Sequence, residues 1–339
     1  MTQKEFVTKT ELLSKHGSLA AKGYAKHLVF NYDRRKIKRK LRIKEWDFYQ
    51  ILSHDYCLQM NIGHLSYVGS VSATLFNLKT GQRYSLGVMK PLVFNRFHME
   101  RNGESDHLLR FRNKHFDMSF DVKGRRRILH LAACDKTYKE FKIDMILTGI
   151  QNSEAMAIAT PFKDPEHFYL NYKQNGFAAR GNVVIDDKIF RFGGDSYGLL
   201  DWGRGVWPSK TEWYWGNGST TLPDGRVLGF NIGFGFGDLS HATENMLFVD
   251  GKVHKLETVT LENDETHIMK NWVFSSSDGR YELTMTPVYD NCTKTKIGPI
   301  YMECHQVFGK FNGQVTLNTG EKIKIVNMLA FCEHAKNHW

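Results

Sequence analysis

Cysteine, proline and helix signals are all scarce in this 339-residue chain, and each shortage removes a class of protein. The five cysteines, Cys57, Cys134, Cys292, Cys304 and Cys332, are odd in number, widely spaced and without a C-x-x-C pair. That argues against a disulfide framework and a zinc knuckle, and leaves buried reduced thiols as the expectation. No run of about 18 uninterrupted apolar residues occurs, so no transmembrane helix is expected. The opening MTQKEFVTKTELLSKHG lacks the basic-then-apolar order of a secretory leader, and a cytoplasmic address is the expectation. The chain has no G-x-x-x-x-G-K-[ST] phosphate loop, and Gly233-x-Gly235-x-Gly237 lacks the following helix and distal acid of a dinucleotide fingerprint. Gly194-Asp195-Ser196-Tyr197-Gly198 spells a nucleophile elbow, but the Gly-rich, Pro-ended segment after it is not the helix that device needs. His334 and His338 would share a metal only on an ordered helix. Neither a cofactor nor a metal is expected.

What is present is enough apolar material for real cores: 41% hydrophobic and 13% aromatic residues exclude a disordered chain, and the length fits two domains. The net charge of +10 is uneven, with 28 basic against 14 acidic residues in positions 1–150 and 18 against 22 in 151–339. Its densest part is RRKIKRKLRIK at 34–44, with Ile37, Leu41 and Ile43 on odd positions and Lys36, Lys38, Lys40, Arg42 and Lys44 on even ones. Read as a strand, it sets a basic face opposite a partly apolar one. Such a stripe is either a solvated outer face or a site for phosphates or anionic lipid. Peripheral membrane contact stays open on this reading. Nucleic acid is not an expected partner, because the unusual residues lie in the acidic half.

The first fifteen or so residues read as one short helix, with Thr10 as N-cap and Gly17 as stop. After them, short alternating stretches end in turn residues: Lys79-Thr80-Gly81, Asp250-Gly251, Asp278-Gly279 and Asn318-Thr319-Gly320. These mark hairpins and predict an all-β protein of two antiparallel barrels or sandwiches. Two prolines in Thr160-Pro161-Phe162-Lys163-Asp164-Pro165 predict the seam, giving a basic N-terminal domain over 1–160 and a C-terminal domain over 166–339.

Four of the seven tryptophans, Trp202, Trp207, Trp213 and Trp215, fall between Gly193 and Leu256 together with Asp201, Arg204 and Glu244. Rings, a few charges and many glycines suit a concave site, whose apolar walls exclude water while polar groups orient a ligand. In GFNIGFGFG, Phe230, Ile232, Phe234 and Phe236 alternate with Gly229, Asn231, Gly233, Gly235 and Gly237, so one strand face is nearly bare. Either a ligand or Trp213 and Trp215, across the Leu222-Pro223-Asp224-Gly225 turn, should cover it. Asp201 and Arg204 form either an internal ion pair or a grip on a substrate's polar end. Glu244 and Asn245 are expected at a barrel mouth. Carboxylates in apolar surroundings become proton donors near neutral pH, so Asp201, Asp238 and Glu244 are the catalytic candidates. Trp202, Arg204, Trp207, Trp213, Trp215, Asn231 and Asn245 are the substrate-binding candidates.

Several of these segments carry a family resemblance. Lys44-Glu45-Trp46-Asp47-Phe48-Tyr49, LLDWGRGVWP, GFNIGFGFGD, ATENMLFVDGKVHKL and the closing Asn337-His338-Trp339 resemble the bacterial family designated domain of unknown function 2804, from about residue 15 onward. More distantly the chain is similar to two-domain lipocalin-like, or calycin, proteins that include carotenoid hydratases and cyclases. That resemblance implies paired β-barrels acting on apolar molecules without a cofactor. Three readings follow: an acid/base enzyme of hydratase, isomerase or cyclase type on a hydrophobic or amphiphilic small molecule, a non-enzymatic carrier of such a molecule, and a polyanion- or membrane-surface protein.

Overall fold

The computed structural model describes residues 2–338 apart from Asn95, Gly298 and Pro299; Trp339 of the closing motif lies outside the described residues. The described residues form strands, turns and two 3-10 turns, with no α-helix. All four turn signals close antiparallel hairpins: Val68–Asn77 with Arg83–Pro91, Met246–Val249 with Lys252–Lys255, Trp272–Ser276 with Tyr281–Ile297, and Ile300–Thr316 with Lys322–His338. Asp250 and Gly251 both adopt positive φ, 46° and 77°, as a two-residue hairpin loop demands.

Two large sheets result, each curled around its own apolar core in the manner of a lipocalin-like barrel. The first runs in the order Arg83–Pro91, Val68–Asn77, Tyr56–His64, Ile43–Leu52, Tyr197–Val206, Phe168–Ile185, Phe141–Thr148, Arg126–Ala133, Phe116–Lys123, His107–Arg112. The second runs Lys252–Lys255, Met246–Val249, Val227–Phe234, Lys210–Thr221, Lys322–His338, Ile300–Thr316, Tyr281–Ile297, Trp272–Ser276, Val259–Glu262. The change of sheet therefore falls at residues 207–209 and not at the expected seam: Pro161 ends a strand of the first sheet, Met156–Pro161, that pairs with Phe168–Ile185. The two prolines only tighten the turn of that hairpin.

The expected N-terminal helix is absent. Its backbone is engaged elsewhere, with Thr10–Glu11 pairing in parallel with Phe30–Asn31, and with the Leu12 carbonyl accepting from the N–H groups of Ala20 and Ala21. Leu13 is bridged to Leu19, and both Leu12 and Leu13 are buried in the first core. Gly17 does terminate a turn, at φ 79°. The basic run 34–44 is likewise no strand until Ile43: it makes 3-10 turns at Arg34–Lys36 and Lys40–Arg42. Five of its eight cations are matched to acids, Arg34 to Glu45 (2.7 Å), Arg35 to Asp33 (2.9 Å), Lys36 to Glu11 (2.5 Å), Lys38 to Glu166 (3.1 Å) and Arg39 to Asp164 (2.7 Å), while Lys40 donates to the Arg34 and Arg35 carbonyls and Arg42 to the Trp207 carbonyl. All five cysteines are free thiols, but only Cys57 and Cys332 are buried, and Cys292 is exposed.

The sheets pack back to back. Cys57, Phe76 and Leu199 of the first and Trp215, Phe308 and Phe331 of the second form one apolar cluster at the junction. Beside it, the packing opens.

Candidate active site

A cavity of about 490 Å³ lies between the two sheets, and strand alternation decides which residues reach it. On Ile43–Leu52, Lys44, Trp46 and Phe48 face the cavity while Ile43, Tyr49 and Ile51 enter the first barrel's core. On Phe168–Ile185, Tyr169 and Lys173 face it while Phe168, Leu170 and Tyr172 do not. The second sheet contributes Trp213, Trp215 and Glu333, and the loop after Val227–Phe234 contributes Phe236 and Glu244. Barrel interiors are filled by side chains, so the site is a crevice between barrels and not the expected barrel mouth.

One end of the cavity is aromatic. Trp207 makes edge-to-face contacts with Trp46 (5.2 Å), Tyr169 (5.9 Å), Trp213 (6.0 Å) and Phe236 (4.7 Å), so the rings hold one another in place. Charged groups sit against these rings. Lys173 Nζ donates to Glu244 Oε2 at 2.5 Å and lies 4.8 Å from the Trp215 ring centre. Asp201 Oδ2 accepts from Trp46 Nε1 at 3.0 Å and Oδ1 from Asn171 Nδ2 at 2.6 Å. Glu333 Oε1 accepts from Trp213 Nε1 at 2.9 Å.

Three carboxyls thus share a low-dielectric space with Lys173 and Lys44. Burial pushes the Glu333 carboxyl up to about 7, the Trp213 N–H works against that rise, and the Asp201 charge adds to it. Burial also raises Asp201, opposed first by the Lys173 ammonium and then by the Asn171 and Trp46 donors. Lys44 is pushed down to about 8 by burial, with Arg42 adding like-charge repulsion. Glu244 is spoken for by Lys173 and by Asn231 Nδ2 at 3.1 Å. Glu333 is thus a carboxyl near neutrality, and Asp201 is a second acid raised above its ordinary value.

Of the residues expected at the site, Asp201, Glu244, Trp207, Trp213 and Trp215 line the cavity. Asn231 stands behind it, accepting from Trp215 Nε1 at 2.8 Å and donating to Glu244, so it positions both. Trp202 and Arg204 do not reach it: on Tyr197–Val206 they alternate with Asp201 and project into the first barrel. Arg204 pairs there with Asp47 (2.8 Å), not Asp201, and its guanidinium lies 3.9 Å from the Trp202 ring centre. Asn245 is fully buried and accepts from the Gly233 N–H at 2.8 Å, a structural role. Asp238 is exposed, accepts from the Ser240 N–H at 2.9 Å, and is held below the usual carboxylate range by that bond, which removes it as a proton donor.

The glycines of this region make room for specific neighbours. A Cβ on Gly233 would sit 2.1 Å from Glu244 Oε1, so a carboxylate covers this glycine, while the expected Trp215, its partner across the ladder, lies on the same face and donates to Asn231 Oδ1. Indole over glycine occurs instead at Gly203, where a Cβ would meet the Trp46 ring at 2.0 Å. Gly203→Ala is expected to push Trp46 out of place, break its bond to Asp201 and cost about 1–3 kcal/mol. Denaturant unfolding and the near-ultraviolet tryptophan circular dichroism signal check it, and an unaltered signal would count against this packing.

Lys173, Trp46 and Glu333 are among the cavity residues that sequence reasoning missed, with Lys44, Phe48, Tyr169 and Phe236. The Glu333 signal is present in FCEHAKNH, an acid between Phe331 and Ala335 on one face of an alternating strand. His334 points to the other face, 2.7 Å from Glu212 and stacked on Tyr214.

Comparison with known proteins agrees with this architecture. The structure is similar to a Nitrosomonas europaea protein assigned as AttH (TM-score 0.51, 12% identity, covering 87% of this chain and 92% of that one). It is similar to CghA (TM-score 0.51, 10% identity, 87% of each chain). Kievitone hydratase from Nectria haematococca aligns with a TM-score of 0.46 at 11% identity, over 87% of this chain and 88% of that one. At such identities the likeness is one of fold. No curated protein sequence matches the chain. The family model described as a domain of unknown function, DUF2804, matches residues 3–339, and the chain belongs to that family.

Proposed function

We propose that the cavity is the active centre of a cofactor-independent acid/base enzyme of hydratase, isomerase or cyclase type, acting on a hydrophobic or amphiphilic small molecule. The observation that carries this reading is a carboxyl near neutrality, Glu333, on the wall of an indole-lined crevice beside a second acid. Protonated Glu333 gives its proton to a carbon–carbon double bond of the substrate. The positive charge then formed on the neighbouring carbon is shielded by the ring faces and by nearby carboxylates. Water adds to it with loss of a proton to Asp201, or an adjacent C–H gives that proton up, or a second double bond closes a ring onto it and the new cation then loses a proton from an adjacent C–H to Asp201. Lys44 suits an anionic end of an amphiphile. The polyanion reading loses support because five of the eight cations of the basic run are already matched to acids and Lys44 faces the cavity.

Purified protein is to be incubated with a panel of alkene-bearing amphiphiles and followed by native and product mass spectrometry. Gain of one water or a rearranged product, lost in Asp201→Asn and Glu333→Gln, is the expected result. Stoichiometric binding with every ligand recovered unchanged would mean a carrier and end the enzyme reading.

A further inference from the structure

The hairpin of Tyr281–Ile297 and Ile300–Thr316 carries side chains that the cavity chemistry does not use. Thr293 and Met302 line the cavity, so alternation turns Cys292 and His305 to the opposite face, where they are direct partners across the ladder. Asp290, two residues before Cys292, shares that face, and its Oδ2 lies 2.7 Å from His305 Nδ1. The other ring nitrogen, Nε2, is 3.8 Å from Cys292 Sγ and 3.6 Å from Glu303 Oε1. Potential ligand atoms of Asp290, Cys292 and His305 all lie within 4.8 Å of one another, an arrangement found once among the described residues.

We propose that this face is a binding site for a zinc-type divalent cation, held by Cys292 Sγ, His305 Nε2 and Glu303, with Asp290 orienting the imidazole. Tetrahedral zinc with bonds of about 2.3 Å to sulfur and about 2.0–2.2 Å to nitrogen and oxygen places its ligands about 3.3–3.6 Å apart, close to the separations here. The Asp290–His305 bond is the carboxylate–imidazole contact that fixes the tautomer of a metal-bound histidine. The second Asp290 oxygen, Oδ1, is buried without a hydrogen-bond partner, which leaves this carboxylate with unused acceptor capacity. Thiolate and imidazole together favour zinc, cobalt or copper over magnesium or calcium. His305 and Glu303 also border a cavity of about 300 Å³ with His334 and Glu265, so a bound ion would keep room for a water or a small ligand. Lys294, 2.8 Å from Glu303, competes with the metal and must swing away. An internal comparison exists: Cys134 Sγ is 3.8 Å from His115 Nδ1, but among the described residues no carboxylate bonds that ring.

The test titrates chelator-treated protein with cobalt(II) and then zinc(II). The expected result is one equivalent bound, a thiolate-to-cobalt charge-transfer absorption, and displacement by zinc. Cys292→Ser abolishes the absorption, His305→Ala abolishes binding, Asp290→Asn weakens it by about 10–100-fold, Lys294→Ala tightens it, and Cys134→Ser changes nothing. Cys292 is exposed, so its serine variant is expected to fold, and circular dichroism verifies this for every variant. Absence of saturable binding at micromolar metal overturns the proposal, as does an absorption that survives Cys292→Ser. Fast alkylation of Cys292 without metal binding would point to a nucleophilic thiol and overturn it equally.

Discussion

Glu333→Gln should lower turnover of the cavity's substrate by about 10²–10⁴-fold, the usual contribution of a general acid, while making the protein more stable above neutral pH. The stability sign follows from proton linkage. Folding raises this carboxyl from an ordinary value of 4.5 to about 7, so between those two pH values the folded chain binds a proton that the unfolded chain has released. Wild-type stability therefore falls as pH rises from 4.5 to 7, and the loss is complete above 7. At about 1.4 kcal/mol per tenfold the cost reaches at most about 3 kcal/mol, which the uncharged amide escapes. Urea melts from pH 4 to 8.5 check this, with the slope expected to flatten in the variant. A variant that is inactive yet keeps the wild-type pH slope would show that Glu333 is not the strained acid. One that loses the slope but keeps turnover would show that its strain serves no chemistry.

Lys173→Met is expected to have the opposite effect on stability. Lys173 is 3% exposed and is the cation held between Glu244 and the Trp215 face, so its removal strands a carboxylate among rings. Breaking one side of a buried pair costs about 3–5 kcal/mol, mostly as the price of the unpaired charge. Lys173→Met combined with Glu244→Gln should recover most of the loss. Denaturant unfolding of the single and double variants is the measurement. A single variant within 1 kcal/mol of wild type, or a double variant no better than the single, would mean that the pair carries no such charge balance.

How much of this was legible in the sequence depended on the range of the interaction. The hairpins were legible because turns are local: Asp250-Gly251 needs two residues at positive φ, and few pairs supply them. The neighbourhood of the site was legible because Trp207, Trp213 and Trp215 crowd one stretch. Assignments within it failed where strand alternation was not applied. Asp201 and Trp202 are neighbours in sequence but face opposite sides of the sheet, and with Trp202 goes Arg204. Lys173 was out of reach because a strand 71 residues away from Glu244 brings it in, and although the alternation of FCEHAKNH marks Glu333, only the three-dimensional pairing sets its meeting with a residue 89 positions earlier. The N-terminal helix was misjudged because Thr10 and Gly17 were read as local cap and stop signals, whereas tertiary pairing and burial decided the conformation between them.

Placing the cavity on the outward faces of two sheets has an evolutionary corollary. Each barrel keeps its own packed interior, so most rings on the shared wall can be exchanged without disturbing either interior, the Lys173–Glu244 pair and Trp215 of the junction excepted. Substrate preference in such an architecture can drift while the scaffold stays intact, since the positions that select a ligand and the positions that secure folding alternate along the same strands and answer to separate pressures.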